Sequence, residues 1–509
     1  MRPTSVLFFA MSSFTPIPVG RRIPDLLHAV SCSLPTMRSV VGYEEKHDEI
    51  IRHIGSGYPR FVVHPLLLAA GRQLLAAAGL ADHDIWLASS AKAAAALVAH
   101  LDSPSARILA DAALPAVVFP SDPALSARAK KFLQHTGAFL SSREAEDHLH
   151  RIGQLRAVQP EPLLAGDASA EIRAHLGRFF DADAADILLA PSGMNAIHGS
   201  LRAAAARQRA RGRTRWIQLG WLYLDTIALL EKFIAPDEGD YLHHGDVFDL
   251  DGLRALFERE GDRIAGLIAE VPTNPLIQTP DLPAVAALCR AHGAILIVDP
   301  TITSPLNIDV LPHADLVVNS LTKYTASEGD VLLGAVVINP TSPHAADLRA
   351  DLPAALEPAY PRDLARLAAQ IADTPEVVAT INRNAAAVVA FLEAHPRVTS
   401  LHWALQANSR DNYLRLARSP DAIGSMISFT IEGPIAAFYD RLRLPKGPSF
   451  GLKTTLICPF IYLAHYDLVT SETGRATLAE HHIDPDLLRL SVGCEPVADI
   501  LAALAEALD

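Results

Sequence analysis

A carboxylate, two hydroxyls and a lysine occur together in one stretch of this sequence, from Asp299 to Lys323. Asp299 directly follows an apolar run, and a second apolar run leads into Ser320, Thr322 and Lys323. The acid can pair with the protonated ring nitrogen of pyridoxal phosphate, the hydroxyls can bind phosphate oxygens, and the lysine can form the Schiff base. The stretch therefore predicts a pyridoxal-phosphate site. A turn-capping aspartate and a surface lysine would produce the same local pattern.

The elements around this stretch predict an α/β fold. The apolar runs at 294–298 and 316–318 have the length and composition of buried strands, and similar runs at 186–190, 215–219 and 264–271 are each followed by a helical pattern. This alternation is typical of a mostly parallel, doubly wound sheet. Because ligands bind outside the carboxyl ends of such strands, Asp299 is expected at the ligand-binding edge.

A second polar group follows the strand at 186–190, where Ser192, Gly193 and Met194 precede a helix beginning near Ala196. Glycine allows close approach of the backbone, and the N–H groups and dipole at a helix start favour an anion. The segment predicts a phosphate-binding cup. Many strand–turn–helix junctions share the Ser-Gly pair, so the pattern gains weight from its combination with the Asp299–Lys323 stretch.

Other candidate ligands also lie near strand ends or in extended segments. Trp221 or Tyr223 can stack on a bound ring, although core packing is a serious alternative for Trp221. Asn274 follows the strand at 264–271, and Arg489 can bind a carboxylate or form a structural ion pair. Tyr58 and Arg60 can present both side chains on one face of an extended segment, where they could grip an anion.

The chain is long enough for several domains, and we divide it into three. Residues 1–160 are predicted to form an N-terminal arm, extended rather than packed up to about residue 65, followed by an α/β insert. In that insert, the polar cluster at 135–143 is best explained by capping of a helix beginning near Glu144. Residues 161–385 are predicted to form the large cofactor-binding domain, and residues 386–509 a smaller α+β domain.

Composition narrows the function classes. Hydrophobic residues make up 50% and charged residues 20% of the chain, and the formal net charge is -13. This acidic balance argues against nucleic acid and anionic membranes as partners and favours small-molecule substrates. The four cysteines lack metal-ligand spacing, so we predict no metal and no disulfide. The N-terminal apolar run is too short for a secretory signal and no segment is long enough to span a bilayer, which predicts a cytoplasmic protein.

Five motifs in one order resemble a known family, the pyridoxal-phosphate enzymes of cysteine and methionine metabolism, or trans-sulfuration family. Its members include cystathionine γ-synthase, cystathionine lyases and methionine γ-lyase. The matching positions are Tyr58-Pro-Arg60, Ser192-Gly-Met194, Asn274-Pro275, Asp299 with Ser320-Leu-Thr-Lys323, and Arg489-Leu-Ser-Val-Gly493. The resemblance covers residues 160–509 well and the arm around 30–65 fairly well.

The resemblance implies a fold type I pyridoxal-phosphate transferase and a role for each matching residue. Lys323 would carry the cofactor and shuttle protons, with Tyr223 as the second catalytic residue. The remaining cofactor contacts would be Asp299, Thr301, Ser320, Thr322, Ser192, Gly193, Met194 and Tyr223, together with Tyr58 and Arg60 from a neighbouring subunit. The substrate contacts would be Arg489, Asn274 and Ser449. The shared site implies a homodimer or homotetramer.

Length sets this chain apart, because 134 positions (192 − 58) separate Tyr58 from Ser192, far more than in short members. This layout resembles long cystathionine γ-synthase-type proteins, and Arg143 in the longer segment competes with Arg60 as the phosphate-reaching residue. The resemblance implies γ-replacement on an O-acylhomoserine by a thiol. The alternatives are a γ- or β-lyase and a non-catalytic paralogue.

Overall fold

The computed structural model describes residues 13–55 and 61–509. The first part of the chain combines short strands with helices. Its strands are β1 (Arg22–Ile23), β2 (Ser31–Cys32), β3 (His83–Leu87), β4 (Arg107–Ile108) and β5 (Ala116–Pro120). Its helices are α1 (Met37–Glu44), α2 (Asp48–Ile51), α3 (Pro65–Ala78), α4 (Ala91–Leu101), α5 (Pro123–Thr136) and α6 (Ser142–Arg151).

The middle of the chain forms the large sheet and the helices that cover it. Its strands are β6 (Ile187–Ala190), β7 (Arg215–Leu219), β8 (Tyr241–His244), β9 (Ile264–Glu270), β10 (Ile295–Asp299), β11 (Leu316–Ser320) and β12 (Gly334–Ile338). Its helices are α7 (Ala168–Phe180), α8 (Gly193–Arg209), α9 (Leu224–Leu229), α10 (Leu250–Glu260), α11 (Leu282–His292), α12 (Ala345–Ala355), α13 (Pro361–Ala368) and α14 (Thr374–Ala394).

The last part forms a second sheet with its own helices. Its strands are β13 (Val398–His402), β14 (Met426–Ile431), β15 (Leu456–Pro459) and β16 (Leu488–Ser491). Its helices are α15 (Arg410–Leu416), α16 (Ile435–Arg441), α17 (Phe460–Ala464), α18 (Tyr466–Thr470), α19 (Glu472–Glu480) and α20 (Val497–Leu508).

The large sheet has the strand order β6-β12-β11-β10-β9-β7-β8. Strands β11, β10, β9, β7 and β8 run parallel, whereas β12 is antiparallel to both its neighbours. Every residue of β9 and β10 is buried, as expected for apolar strands covered by helices on both faces. In the parallel register Asp299 lies beside Glu270, so the ends of β9 and β10 place two carboxylates at one edge.

The two flanking parts of the chain carry smaller antiparallel sheets. Strands β3, β5 and β4 form one of them in that order, and β13, β14, β16 and β15 form the other. Ser141 caps α6 by accepting a hydrogen bond from the Arg143 N–H, as the sequence predicts. The predicted boundary at residue 385 lies inside α14.

The prediction of an unpacked arm is wrong for its described residues. Leu34, Met37 and Val40 are buried in the same core cluster as the last helix of the chain. The Met37 N–H also donates to Asp440, and the Tyr439 hydroxyl donates to the Leu34 carbonyl oxygen. Helix α1 has only 8 residues, so its apolar residues are too few to show a helical period in the sequence.

One helical stretch of the described chain, at 361–394, is long and apolar enough to cross a membrane. It contains α13 and α14, and Val377, Ile381 and Val388 on α14 are buried in the protein core. Buried core helices can have the same length and apolar composition, so this stretch is weak evidence for a membrane span.

Candidate active site

A cavity lies at the carboxyl ends of β9, β10 and β11, where the last part of the chain covers the large sheet. It brings together residues that are distant in sequence, from Phe61 to Arg489, and the strand-end residues meet there because parallel strands end at one edge. The predicted site residues that line it are Ser192, Gly193, Met194, Tyr223, Asn274, Asp299, Thr301, Ser320, Lys323, Ser449 and Arg489.

Asp299 ends β10 as a buried carboxylate. Its Oδ1 accepts hydrogen bonds from the Thr301 N–H at 2.9 Å and from the Thr301 hydroxyl. Burial raises the pKa of Asp299 to about 6, although the Thr301 hydrogen bonds and Lys323 oppose this rise. The carboxylate is therefore oriented but lacks a full counter-charge, which a protonated ring nitrogen would supply.

Thr301 links the two strands of the predicted stretch. Its Oγ1 accepts from the Ser320 N–H at 2.9 Å and from the Asn319 side-chain amide at 3.2 Å. The end of β11 is thereby held against the end of β10. Thr301 thus acts as a support for Asp299, in addition to lining the cavity.

The predicted anion cup forms where α8 begins. A Cβ on Gly193 would lie 2.8 Å from the Ser320 Cβ, so only glycine lets the helix start approach Ser320 this closely. The first N–H groups of a helix have no intrahelical acceptor. The Ser320 hydroxyl is buried and has no hydrogen-bond partner within the described ranges. A polar group without a partner beside a helix start is the environment that a phosphate requires.

The Ser192 hydroxyl, at the cavity wall, forms two hydrogen bonds within the protein. It accepts from the Asn195 N–H at 3.0 Å, which caps α8, and donates to the Gly137 carbonyl oxygen at 2.9 Å. The Asn195 side-chain amide donates to the Thr136 carbonyl oxygen at 3.0 Å. These hydrogen bonds hold the start of α8 against the end of α5.

Lys323 is buried at the side of the cavity. Its Nζ donates to the Ser449 hydroxyl at 3.1 Å and lies 4.7 Å from the centroid of the Phe450 ring. Ser449 has a backbone φ of 91°, a conformation that non-glycine residues seldom adopt. Such strain is characteristic of functional sites, where the surrounding structure holds a side chain in place.

Arg489 enters the cavity from β16. Its Nη1 donates to the Asn274 side-chain oxygen at 3.2 Å, and its guanidinium lies 4.2 Å from the Phe460 ring centroid and 5.5 Å from that of Phe450. Within the described ranges no carboxylate lies at ion-pair distance from this arginine. Burial lowers the pKa of Arg489, although Cys458, Tyr223 and the Glu270 carboxyl oppose this shift.

Glu270 is a cavity residue that the sequence analysis missed. It ends β9, and its Oε1 accepts from the Tyr223 N–H at 2.6 Å, which fixes the start of α9 and with it Tyr223. Burial, followed by the charge of Asp299, raises the pKa of Glu270 to about 8. Its position at a strand end, the same signal that identified Asp299, could have revealed it.

The aromatic and apolar parts of the cavity wall were also missed, among them Phe61, Phe450, Phe460, Leu463 and Ala464. Trp221 lies outside the cavity lining, and its Nε1 donates to His465 Nε2 at 3.2 Å, so of the two proposed aromatics it is Tyr223 that faces the site. Nothing in the local sequence around α17 indicated a cavity wall, because this helix has only 5 residues.

Thr322, Tyr58 and Arg60 were also predicted to contact the cofactor. Thr322 does not line the cavity, and its hydroxyl exchanges hydrogen bonds with the Leu333 backbone at 3.3 and 3.4 Å, so it supports the turn after β11. Tyr58 and Arg60 lie outside the described residues.

Arg143, the alternative to Arg60, belongs to a buried ion-pair network. Its guanidinium forms ion pairs with the carboxylates of Glu161 at 2.7 Å, Asp363 at 3.0 Å and Asp330 at 3.3 Å. Only 1% of the Arg143 side chain is exposed, and its guanidinium already bonds three carboxylates. We use the term ion-pair network for Arg143, Glu146, Glu161, Asp330, Arg362, Asp363 and Arg366.

The residues of the cavity fit pyridoxal phosphate. Asp299 is placed for the ring nitrogen, and the unpaired Ser320 hydroxyl beside the start of α8 is placed for the phosphate. Lys323 is placed for covalent attachment, and its neighbour Ser449 already receives a hydrogen bond from it. This fit depends on several independent features of the structure rather than on a single motif.

Comparison with known proteins gives consistent results. The model of the family described as Cys/Met metabolism PLP-dependent enzyme matches residues 177–509. The L-2-amino-4-chloropent-4-enoate dechlorinase/desaturase of Streptantibioticus cattleyicolor is 39% identical over 491 residues, which cover 96% of this chain and 98% of that protein.

One more distant relative and one solved structure are both named cystathionine gamma-synthase. The cystathionine gamma-synthase of Neurospora crassa is 28% identical over 620 residues, covering 97% of this chain and 98% of that protein. The structure of cystathionine gamma synthase from Xanthomonas oryzae in complex with cystathionine has a TM-score of 0.58 at 23% identity and covers 71% of this chain and 96% of that one. At this identity the structural likeness shows the fold alone.

Proposed function

The chain belongs to the family of Cys/Met metabolism PLP-dependent enzymes, and on that basis we propose that it removes a substituent from the γ-carbon of an L-α-amino acid. One observation carries the proposal. Lys323, Asp299 and Arg489, which forms no ion pair with the described carboxylates, line a single cavity, so a base, a cofactor partner and a substrate anchor lie together. When bound, pyridoxal phosphate supplies an electron sink for the charge that develops at the α-carbon.

The residues of this chain then have separate tasks. Arg489 binds the substrate α-carboxylate, with Asn274 holding the guanidinium in place. Lys323 moves protons along the substrate carbon chain, since its Nζ is the basic group beside Asp299 and is guided by Ser449. Phe450 and Phe460 cover the guanidinium and exclude water from the salt bridge that the substrate completes.

The reaction that we favour is elimination. The bond between the γ-carbon and its substituent breaks, the substituent leaves with both electrons, and a proton leaves the carbon chain, so that an unsaturated amino acid and the protonated leaving group form. The full-length relative at 39% identity supports this choice, because its printed name describes dechlorination and desaturation of an amino acid with chlorine on the γ-carbon.

Replacement by a thiol is the second candidate. In that reaction the thiol sulfur bonds the γ-carbon after the substituent has left, and the thiol proton balances the charge of the departing group. The observation that favours it is the match along nearly the whole chain to a protein named cystathionine gamma-synthase. O-acylhomoserines and small thiols are the substrates to test.

A single assay distinguishes the two reactions. The purified enzyme with pyridoxal phosphate is incubated with L-2-amino-4-chloropent-4-enoate or an O-acylhomoserine, with and without cysteine. Elimination predicts that the leaving group and unsaturated or keto products appear at a rate that cysteine does not change. Replacement predicts a thioether at the expense of those products. Lys323→Ala is the control, and product formation by this variant would contradict the assignment of the base.

We also propose a homo-oligomer whose active sites are shared between subunits, in the cytoplasm. If Tyr58 and Arg60 serve a neighbouring site, then co-expression of Arg60→Ala and Lys323→Ala chains restores activity that neither variant has alone. Each mixed oligomer then contains a site with both residues intact. Failure of mixed oligomers to exceed the separate variants would contradict a shared site.

A further inference from the structure

The cavity contains little positive charge. Among the described side chains that line it, the basic ones are Lys323 and Arg489, and both have tasks in the proposed reaction. The acidic ones are Asp299 and Glu270, which lie beside each other on neighbouring strands. A second carboxylate on a substrate would therefore find no available cation in the described wall.

The part of the wall next to Arg489 is apolar. Phe460, Leu463 and Ala464 all line the cavity, and their spacing of three and four residues places them on one face of α17. Phe460 also packs against the guanidinium at 4.2 Å. A substrate whose α-carboxylate is bound by Arg489 thus has its neighbouring groups against this apolar face.

Helix α17, which carries this face, is positioned by neutral groups next to it. His465 follows α17 directly, and its Nε2 accepts a hydrogen bond from Trp221 Nε1 at 3.2 Å. Burial lowers the pKa of His465 to about 4, so the ring is neutral at pH 7 and can accept that hydrogen bond. The support for α17 therefore adds no charge that could attract an anionic substrate group.

We propose, resting on the function proposed above, that the substrate side chain beyond its β-carbon is apolar and uncharged, leaving group included, and that the α17 face rejects side chains with a second carboxylate. A halide or a short neutral acyl group meets this condition, whereas a succinyl group does not. The physical reason is that an unpaired carboxylate loses its hydration against Phe460 and Leu463 and receives no counter-charge in return.

Binding tests the proposal without requiring turnover. L-norleucine and L-2-aminoadipate have side chains of similar length, but only the second ends in a carboxylate. Each is titrated into the cofactor-loaded enzyme, and the absorbance of the bound cofactor is followed. We expect L-norleucine to bind at least about tenfold more tightly. Equal or tighter binding of L-2-aminoadipate would overturn the proposal.

A charge placed on the α17 face provides the second test. Leu463→Arg should reverse or remove the preference for L-norleucine, because it supplies the missing cation. Leu68→Arg is the matched control, since it adds the same charge on the exposed surface of α3, where Leu68 is 49% exposed. An unchanged preference in a folded, coloured Leu463→Arg enzyme would contradict the role of this face.

Turnover separates this inference from the proposed function. O-acetyl- and O-succinyl-L-homoserine break the same bond, and the succinyl ester is longer by one methylene and one carboxylate. We expect the kcat/KM of the acetyl ester to be about 100-fold higher. Comparable values for both esters would overturn the inference and leave the proposed function intact. No turnover of either ester or of the chlorinated substrate, together with selective binding of L-norleucine, would overturn the function and leave the inference intact.

Discussion

Two buried arginines in this chain have opposite surroundings. Arg143 bonds three carboxylates of the ion-pair network and is 1% exposed. Arg489 is also buried, but its contacts are the Asn274 amide, the Cys458 side chain and two phenyl rings, and Glu270 acts on it only at longer range. Burial alone would lower the pKa of both, and the carboxylates reverse this effect only for Arg143. A buried charge that the protein has already neutralised is structural, whereas one left without a counter-charge indicates a ligand.

The carboxylates of the two regions show the same contrast. Hydrogen bonds from His28, the Gln159 N–H and Arg362 outweigh the effect of burial and lower the pKa of Glu146 in the network to about 2. Burial raises the pKa of Asp299 to about 6 and that of Glu270 to about 8 in the cavity. The network is complete by itself, and the cavity requires a cationic ring and a substrate carboxylate to reach the same balance.

Removal of Arg143 should have the largest effect. Arg143→Met leaves Glu161, Asp330 and Asp363 buried without their common partner, which should cost about 3–5 kcal/mol of folding free energy. Denaturant unfolding measures the loss. Arg38→Met is the control, because the Arg38–Glu49 pair is exposed and such pairs contribute little to stability. Equal midpoints for the two variants would show that the network does not stabilise the fold.

The same replacement in the cavity should spare the fold and remove function. Arg489→Met takes away a cation that forms no close ion pair within the described ranges, so stability should change by less than about 1 kcal/mol. The kcat/KM should fall about 100- to 1000-fold, because the substrate carboxylate loses its charge-assisted hydrogen bonds. Steady-state kinetics and denaturant unfolding measure the two effects. A destabilisation as large as that of Arg143→Met would refute the distinction.

The affinity for the cofactor should depend on pH through Asp299. This carboxyl must be ionised to pair with a protonated ring nitrogen, and its pKa in the cofactor-free protein is about 6. Below that pH a proton must leave before the pair forms, so the Kd should rise about tenfold for each pH unit. Fluorescence titration between pH 5 and 8 measures it. Asp299→Asn should bind weakly at every pH, and a steep profile in that variant would assign the effect to another group.

Glu270 should produce the smallest effect. Its folded-state pKa of about 8 lies above the ordinary value of 4.5, so this group lowers stability progressively as pH rises from 4.5 to 8. Glu270→Gln removes that dependence. The thermal midpoint of the variant minus that of the unsubstituted protein should therefore be about 2–4 °C larger at pH 8 than at pH 5.5. Glu146→Gln is the matched control from the network, and it should be destabilising at both pH values.

The family, the α/β fold class and the cofactor were predictable from sequence and are confirmed. The parts involved are local, because Asp299, Ser320 and Lys323 lie on consecutive strands and a turn, and Ser192 and Gly193 lie on one strand–helix junction. Chain topology alone brings these segments to one edge of a sheet.

The remaining features depend on contacts between distant segments. The wall on α17 is positioned by a hydrogen bond between Trp221 and His465, which are 244 positions apart. The role of Arg143 depends on carboxylates up to 220 positions away, and the Thr322 hydroxyl is paired with the Leu333 backbone. Neither spacing nor composition encodes such partners. Glu270 is the exception, since its strand-end position was visible in the sequence.

The attachment of α8 to α5 has a consequence for protein engineering. The cup that begins at Ser192 obtains two of its hydrogen-bond acceptors, the Gly137 and Thr136 carbonyl oxygens, from the first part of the chain. A chimera that grafts residues 161–509 onto a foreign N-terminal segment would inherit the cup without its anchors. In chimeras of related proteins, the junction should therefore lie before α5. The last turn of this helix and the cofactor-binding domain then come from the same parent protein.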